Sequence, residues 1–323
     1  MTLSVLLIGF GAGTASALLY AAVASGSPLA VLLLYVAPLP ILLAGVGWRH
    51  TAGLVAAVVA ALALTVGVGP KTGLYYALVV GVPSWWLAYL ALLARPGATP
   101  EQTEWYPIGR LVIWTAALGA LLVTASIPLV ATTLEEYRAT LREVFSKAFE
   151  SAGAAGAPLP TGQDPKALVD FMALVAPGVA ATFWTASSIL NLWLAGRITR
   201  ASGRLVRPWP DLRGVSYPTT AAYVLLAAFA GSFAPGLVGL AAELFAATFL
   251  IAFALLGLAT LHVATQKTPA RGLILFATYA MLVLQPWIVV FLAGLGLGEQ
   301  FFNIRRRFGP PPGGPPTAVA NLP

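Results

Sequence analysis

The sequence predicts an all-α protein, a polytopic transmembrane helical bundle of about nine spans with eight as the alternative count. Three observations carry that prediction. Hydrophobic residues make up 59% of the chain. Charged residues make up only 9%, against a usual share of about 25%. Several apolar stretches run for about 20 residues without a charge, the length that crosses a hydrocarbon core about 30 Å thick at about 1.5 Å per residue. A lone apolar segment in lipid has to satisfy its own backbone polar groups, so each stretch is read as a helix.

In chain order, span one is Leu3–Ala24. Ala22-Val23-Ala24 imitates a cleavage site, but no Lys or Arg precedes it and the apolar run exceeds a usual signal-peptide core, so the span is read as uncleaved. Ser25-Gly26-Ser27-Pro28 turns the chain into span two, Leu29–Gly47, which contains Pro38 and Pro40. Span three is Thr51–Gly69, span four Thr72–Ala94 and span five Ile108–Ala131, with the polar loop Arg95–Pro107 between the last two.

Within 132–164, Thr133 and Glu136 form a capping box, and Leu134, Tyr137, Leu141, Val144, Phe145 and Ala148 recur at helical spacing. This predicts an extramembrane amphipathic helix between spans five and six, with Glu143 and Lys147 four apart on its polar face. Ser151–Gly162 is a Gly/Ala/Pro linker, and Asp164-Pro165 starts the next helix. Span six is Lys166–Gly196, with a kink expected at Pro177-Gly178. Spans seven, eight and nine are Tyr217–Phe233, Leu237–His262 and Gly272–Leu297. The chain therefore divides into spans one to five (1–131), the extramembrane helix and linker (132–164), spans six to nine with a basic end (165–308), and a disordered Pro/Gly tail (309–323).

The net charge of +7 is not a nucleic-acid footprint, because the 18 Lys and Arg fall mostly in short clusters between apolar runs. There they act as topology signals. With nine spans, Arg49, the Arg95–Arg110 loop, the Arg197–Arg213 loop and Lys267/Arg271 share one side, the expected cytoplasm. That puts the N-terminus inside and 132–164 outside. Arg305-Arg306-Arg307 then falls outside, against the rule. Either the early loops dominate and the C-terminus is external, which is favoured, or one apolar stretch is not a full crossing. The chain has no cysteine, so disulfides and thiolate ligands are excluded.

Candidate motifs are few. Gly9, Gly11 and Gly13 imitate a dinucleotide fingerprint, but Thr14 stands where the last glycine belongs and no acid follows at the required distance. Gly9, Gly13, Ala17 and Ala21 lie four apart instead, a small-residue face that lets another helix approach closely. Packing within the chain is the first reading of that face, and docking of a separate membrane subunit through span one is the alternative. Gly67–Thr72 lacks the glycines of a phosphate loop, so ATP-driven work would need a partner.

Glu243 is the one acid well inside an apolar span, and intramembrane acids mark candidate sites that face the bundle or a wet cavity. Gln285-Pro286 interrupts span nine, as a kink or as a ligand contact. Asn191 near the end of span six anchors the interface or bonds across helices. Glu243, Gln285 and Asn191 are the candidate ligand-binding residues. No catalytic motif and no metal-ligand set is present, and no cofactor is expected.

Two segments carry a family resemblance. His262, Lys267 and Arg271, an apolar span, and then "GLGLGEQFFNIRRR" from Gly294 to Arg307 resemble the close of the YybS-like family of uncharacterised bacterial membrane proteins, with Glu299 as the acid of the closing motif. "NLWLAGRITR", Asn191–Arg200, is similar to that family's Asn-containing span exit. The family in turn looks distantly similar to the substrate-binding S components of energy-coupling-factor transporters. The resemblance implies a helical membrane bundle that binds a small solute and docks on a separate membrane subunit. The expected function is a non-catalytic, transporter-type protein of the bacterial cytoplasmic (inner) membrane, binding or moving a small or lipid-like solute, with a partner supplying energy. The alternative is a non-transporting accessory or assembly subunit. The expected partners are the lipid bilayer and that membrane subunit, with no nucleic acid and the oligomeric state open.

Overall fold

The computed structural model describes residues 2–97, 103–154 and 164–308. Glu101, most of the Ser151–Gly162 linker and the 309–323 tail lie outside the described residues. The helices are α1 (Leu3–Ala21), α2 (Pro28–Val36), α3 (Pro38–Gly47), α4 (His50–Gly67), α5 (Pro70–Tyr76), α6 (Val82–Leu92), α7 (Ile108–Ser126) and α8 (Leu134–Ala154). They continue with α9 (Pro165–Ala201), α10 (Thr219–Gly231), α11 (Gly236–Ala264), α12 (Arg271–Leu284) and α13 (Ile288–Phe302). A hairpin of β1 (Ala94–Pro96) and β2 (Thr103–Trp105), joined across by the Arg95–Glu104 pair at 2.7 Å, occupies the expected Arg95–Pro107 loop.

Among the described residues, seven helical segments are long and apolar enough to cross a membrane: Leu3–Ser25, Leu29–Gly47, His50–Gly67, Pro70–Leu92, Ile108–Leu129, Pro165–Ala201 and Gly236–Ala264. Spans one to six and span eight correspond to these. Expected spans seven and nine differ. Pro218 and the turn after Gly231 confine α10 to 13 residues, about 20 Å at helical rise. Pro286 has no N–H to donate, so Gly272–Leu297 separates into α12 and α13 around Gln285. Pro177, at the expected kink, lies inside α9, which continues through it for 37 residues in all.

The chain folds as two compact units that do not follow the linear order of the spans. The first comprises Met1–Thr115, Ala186–Thr219 and Leu250–Pro323. Its core brings Ala17 of α1 against Ile41, Ala56, Ala57, Ala60 and Leu64. Gly9, Gly13 and Ala17 are all buried. A Cβ on Gly9 would lie 2.7 Å from Val55, and one on Gly13 only 2.5 Å from the Ala56 carbonyl oxygen. The small-residue face of α1 is thus filled by α4 of the same chain, and Ala21 at its end is half-buried.

The second unit comprises Ala116–Thr185 and Thr220–Phe249. Ala120, Ala131, Tyr137, Ala181, Leu240 and Leu244 form its core, with Leu134 and Leu141 of α8 packed against it. At the start of α8, Thr133 Oγ1 accepts from the Glu136 N–H at 3.2 Å. The Glu136 carboxylate reaches back to the Thr132 N–H at 2.9 Å, one residue before the expected partner. Asp164 caps α9 by accepting from Lys166 N–H at 3.0 Å.

Threonines inside these helices satisfy themselves. Thr65, Thr115, Thr185, Thr199, Thr260 and Thr278 each donate to the carbonyl four residues back, so a hydroxyl can sit in an apolar helix without a cross-helix partner.

Candidate functional site

Three buried polar side chains of the first unit, Asn191, Ser16 and Tyr76, converge where α2 gives way to α3. Pro38 and Pro40 carry no N–H, so the chain around Ala37 cannot bond as an unbroken helix does. The Ala37 N–H closes a tighter bond to the Leu34 carbonyl at 3.2 Å. Side chains from other helices take carbonyls nearby. Asn191 on α9, 3% exposed, donates its amide to the Tyr35 carbonyl at 2.7 Å and to the Ser187 carbonyl at 2.8 Å. Ser16 on α1 donates to the Ala37 carbonyl. That uses its single proton, so the Tyr76 hydroxyl donates to Ser16 Oγ at 2.5 Å.

Tyr76 ends α5 and precedes the π-turn Ala77–Gly81, a local distortion that recurs at functional positions. With both Asn191 amide protons held by carbonyls, the orientation of the amide is determined. Its Oδ1 is buried and accepts no hydrogen bond among the described residues. Such an acceptor costs about 1–3 kcal/mol until a donor reaches it. An N–H or O–H of a bound molecule would supply that donor.

The other two sequence candidates lie elsewhere. Gln285 is exposed in the α12–α13 break and its Oε1 accepts from Trp287 Nε1 at 2.9 Å. Glu243 belongs to the second unit and is exposed there, where an interior aspect was expected. Leu240 and Leu244 set the inward stripe of α11, and a residue one step before Leu244 is turned about 100° off it. The Glu243 carboxylate lies over α9, and a Cβ on Gly178 would be 3.8 Å from its Oε1. Also in the second unit, Arg138, Arg142, Asp170, Phe171, Ala173 and Leu174 line a hollow of about 310 Å³, in which Arg142 pairs with Asp170 at 2.5 Å.

The closing motif of the sequence forms a buried polar clamp in the first unit. Asn303, at φ 48°, ends α13 in the left-handed conformation and turns the chain back. Arg305 then meets Glu299, with side chains 14% and 6% exposed, at 2.8 Å. The Arg305 N–H donates to the same carboxylate at 2.8 Å, and its guanidinium donates to the Val215 carbonyl, also at 2.8 Å, and to that of Arg213. Gln300 donates to the Tyr217 carbonyl at 3.2 Å, and Tyr217 donates to the Ala252 carbonyl at 2.7 Å. The basic end therefore joins the Arg197–Arg213 loop. This corrects the favoured expectation that it lies on the opposite side, and it follows from the break at Pro286, which makes Gly272–Leu297 something other than one straight crossing.

Residues 14–298 match the protein family described as Predicted membrane protein (DUF2232). The chain belongs to this family. No curated protein and no solved structure matches it. The range matched to DUF2232 holds Ser16, Ala17, Ala21, Tyr76, Asn191, Glu243 and Gln285, whereas Gly9, Gly13, Glu299 and Arg305 lie beyond it. Family membership and the seven apolar segments make this a membrane protein with several spanning helices. Of the site, sequence reasoning named Asn191 and missed Ser16 and Tyr76. The signal that could have found them is a hydroxyl within a span that faces a proline-interrupted neighbour.

Proposed function

We propose that this chain is a transporter-type integral membrane protein that binds a small or lipid-like solute beside the interruption between α2 and α3. Asn191 makes the polar contact, and Ser16 and Tyr76 hold the interrupted backbone in place. The observation that carries this reading is the unpartnered Asn191 Oδ1, buried next to a broken span. Interrupted helices are where membrane transporters present polar groups to a solute at depth. The solute presents an N–H or O–H to Asn191 and an apolar body to the apolar helices that carry it.

The remaining parts of the proposal follow from the sequence. The chain contains no nucleotide-binding motif, so energy comes from a separate partner, in keeping with the YybS-like resemblance and the distant likeness to S components. No catalytic step, cofactor or metal is involved. The protein resides in the bacterial cytoplasmic membrane with its N-terminus inside. Arg49, the Arg197–Arg213 loop and the Arg305–Arg307 end then face the cytoplasm, and α8 lies outside as an amphipathic helix on the membrane surface.

One observation favours the accessory-subunit reading. Glu243 is exposed in a helix otherwise apolar around it, and an acid facing lipid is costly unless another protein or water meets it. The two readings separate in a thermal-stability screen of the purified full chain against small polar and lipid-like compounds. A solute at about 100 times its Kd stabilises by about 2.7 kcal/mol. The transporter reading predicts a compound that stabilises the parent protein and has no effect on Asn191→Ala. A stabilising effect that survives Asn191→Ala, or none across the panel while a photocrosslinker at position 243 captures a membrane protein, supports the accessory reading instead.

A further inference from the structure

The end of α9 and the loop that follows it hold cations in an arrangement that topology alone does not require. Arg197–Arg213 contains five arginines and one acid. That acid, Asp211, is taken by Arg213, which donates Nε and Nη2 to it at 3.0 Å each. Arg207 turns inward, donating to the Ala91 carbonyl at 2.9 Å and the Tyr106 carbonyl at 3.3 Å, so it ties the loop to the α6–α7 connection. Arg197, Arg200 and Arg204 remain exposed, and among the described residues no carboxylate pairs with them.

These three are nonetheless positioned. The Trp209 ring packs on the end of α9, where a Cβ on Gly196 would lie 3.3 Å from it. Arg197 and Arg200 both stand over that ring, at 5.6 Å and 5.3 Å from its centroid. Arg204 stands 4.6 Å over Trp48. A merely solvated topology signal would leave long cationic side chains free. Here aromatic faces hold them, which removes part of the entropy that binding an anion would otherwise cost. The C-terminal end of α9 also favours cations at this place.

We propose that Arg197, Arg200 and Arg204, held by Trp209 and Trp48, form a headgroup site for an anionic phospholipid. The guanidinium forks match phosphate oxygens in pairs, and Trp belongs at headgroup depth. What selects a lipid over free phosphate is the surface beneath. Leu190 is 54% exposed and Trp193 42% exposed, and both share a face of α9 with Arg197, so an apolar lane for an acyl chain leads up to the cations.

The test is native mass spectrometry of the full chain from micelles holding phosphatidylglycerol and phosphatidylcholine in equal amounts. The parent protein retains phosphatidylglycerol preferentially. The double variant Arg200→Gln/Arg204→Gln lowers that preference about thirtyfold, as expected for two interfacial arginines. Arg197→Gln gives a smaller loss and serves if the double variant does not fold. Lys147→Gln, in the second unit, leaves the preference unchanged. Equal retention of both lipids by the parent protein, an unchanged ratio in the arginine variants, or displacement of the lipid by millimolar inorganic phosphate overturns the proposal.

Discussion

At the scale of single residues, the α1 face makes the clearest prediction. Gly13 and Gly11 differ only in direction. A Cβ on Gly13 meets the Ala56 carbonyl oxygen at 2.5 Å, while one on Gly11 meets nothing within 4 Å. Gly13→Ala should therefore cost about 1–3 kcal/mol through overpacking. Gly11→Ala should be neutral or stabilise by up to about 1 kcal/mol through helix propensity. Thermal unfolding of the two variants in one detergent measures both. The Glu299–Arg305 clamp gives a second prediction. Removing one partner of a buried pair strands the other, so Glu299→Gln should cost about 3–5 kcal/mol. Arg305→Lys should fail to restore the parent stability, because a lysine cannot reach Glu299 and the Arg213 and Val215 carbonyls together.

Residue identity made some of this legible and not the rest. Small residues four apart marked the α1 face, since only close helix packing explains that spacing. The polar side chain of Asn191 was nameable for the same reason that it is rare in a span. Ser16 and Tyr76 were not, because most hydroxyls in these helices bond their own backbone, and composition does not separate those that reach across. The direction of Glu243 depends on the phase of α11, which its neighbours Leu240 and Leu244 set.

At the scale of elements, α2 gives way to α3 where Pro38 and Pro40 stand close, and the expected span nine separates into α12 and α13 at Gln285-Pro286. Pro177 shows that one proline can be carried within a long helix. The β1–β2 hairpin escaped notice because three-residue strands have no periodicity to read. The start of α8 was readable from Thr133 and Glu136, and it gives a pH prediction. Backbone and hydroxyl donors of Thr132 hold the Glu136 carboxyl below its ordinary value of 4.5. A depressed carboxyl stabilises the fold above that ordinary value, and the contribution is lost as pH falls through the depressed one. The protection factor of the first-turn amides of α8, taken against the intrinsic exchange rate at each pH, should thus be steady from neutral pH down to about 4.5 and fall below it. Glu136→Gln should show the lower protection at neutral pH, with the difference from the parent chain disappearing as pH falls through the depressed value, and a pH-independent protection factor in the parent chain would contradict the cap.

At the scale of the whole molecule, span order did not reveal which segments pack together. The first unit draws on three separate stretches of chain, because α9 and α11 return late residues to the early helices. The contact of Arg305 with the 213–215 carbonyls carries a topology prediction. Reporter fusions after Arg204 and after Arg307 should report the same side of the membrane. The account as a whole stands on the Asn191 acceptor being completed by a bound solute, and native mass spectrometry of protein extracted directly from its own membranes tests that most directly. The account predicts one additional small or lipid-like mass per chain in the parent protein, absent from an Asn191→Ala variant that is still folded. A parent chain that carries no such mass, or a variant that carries it equally, would contradict the account.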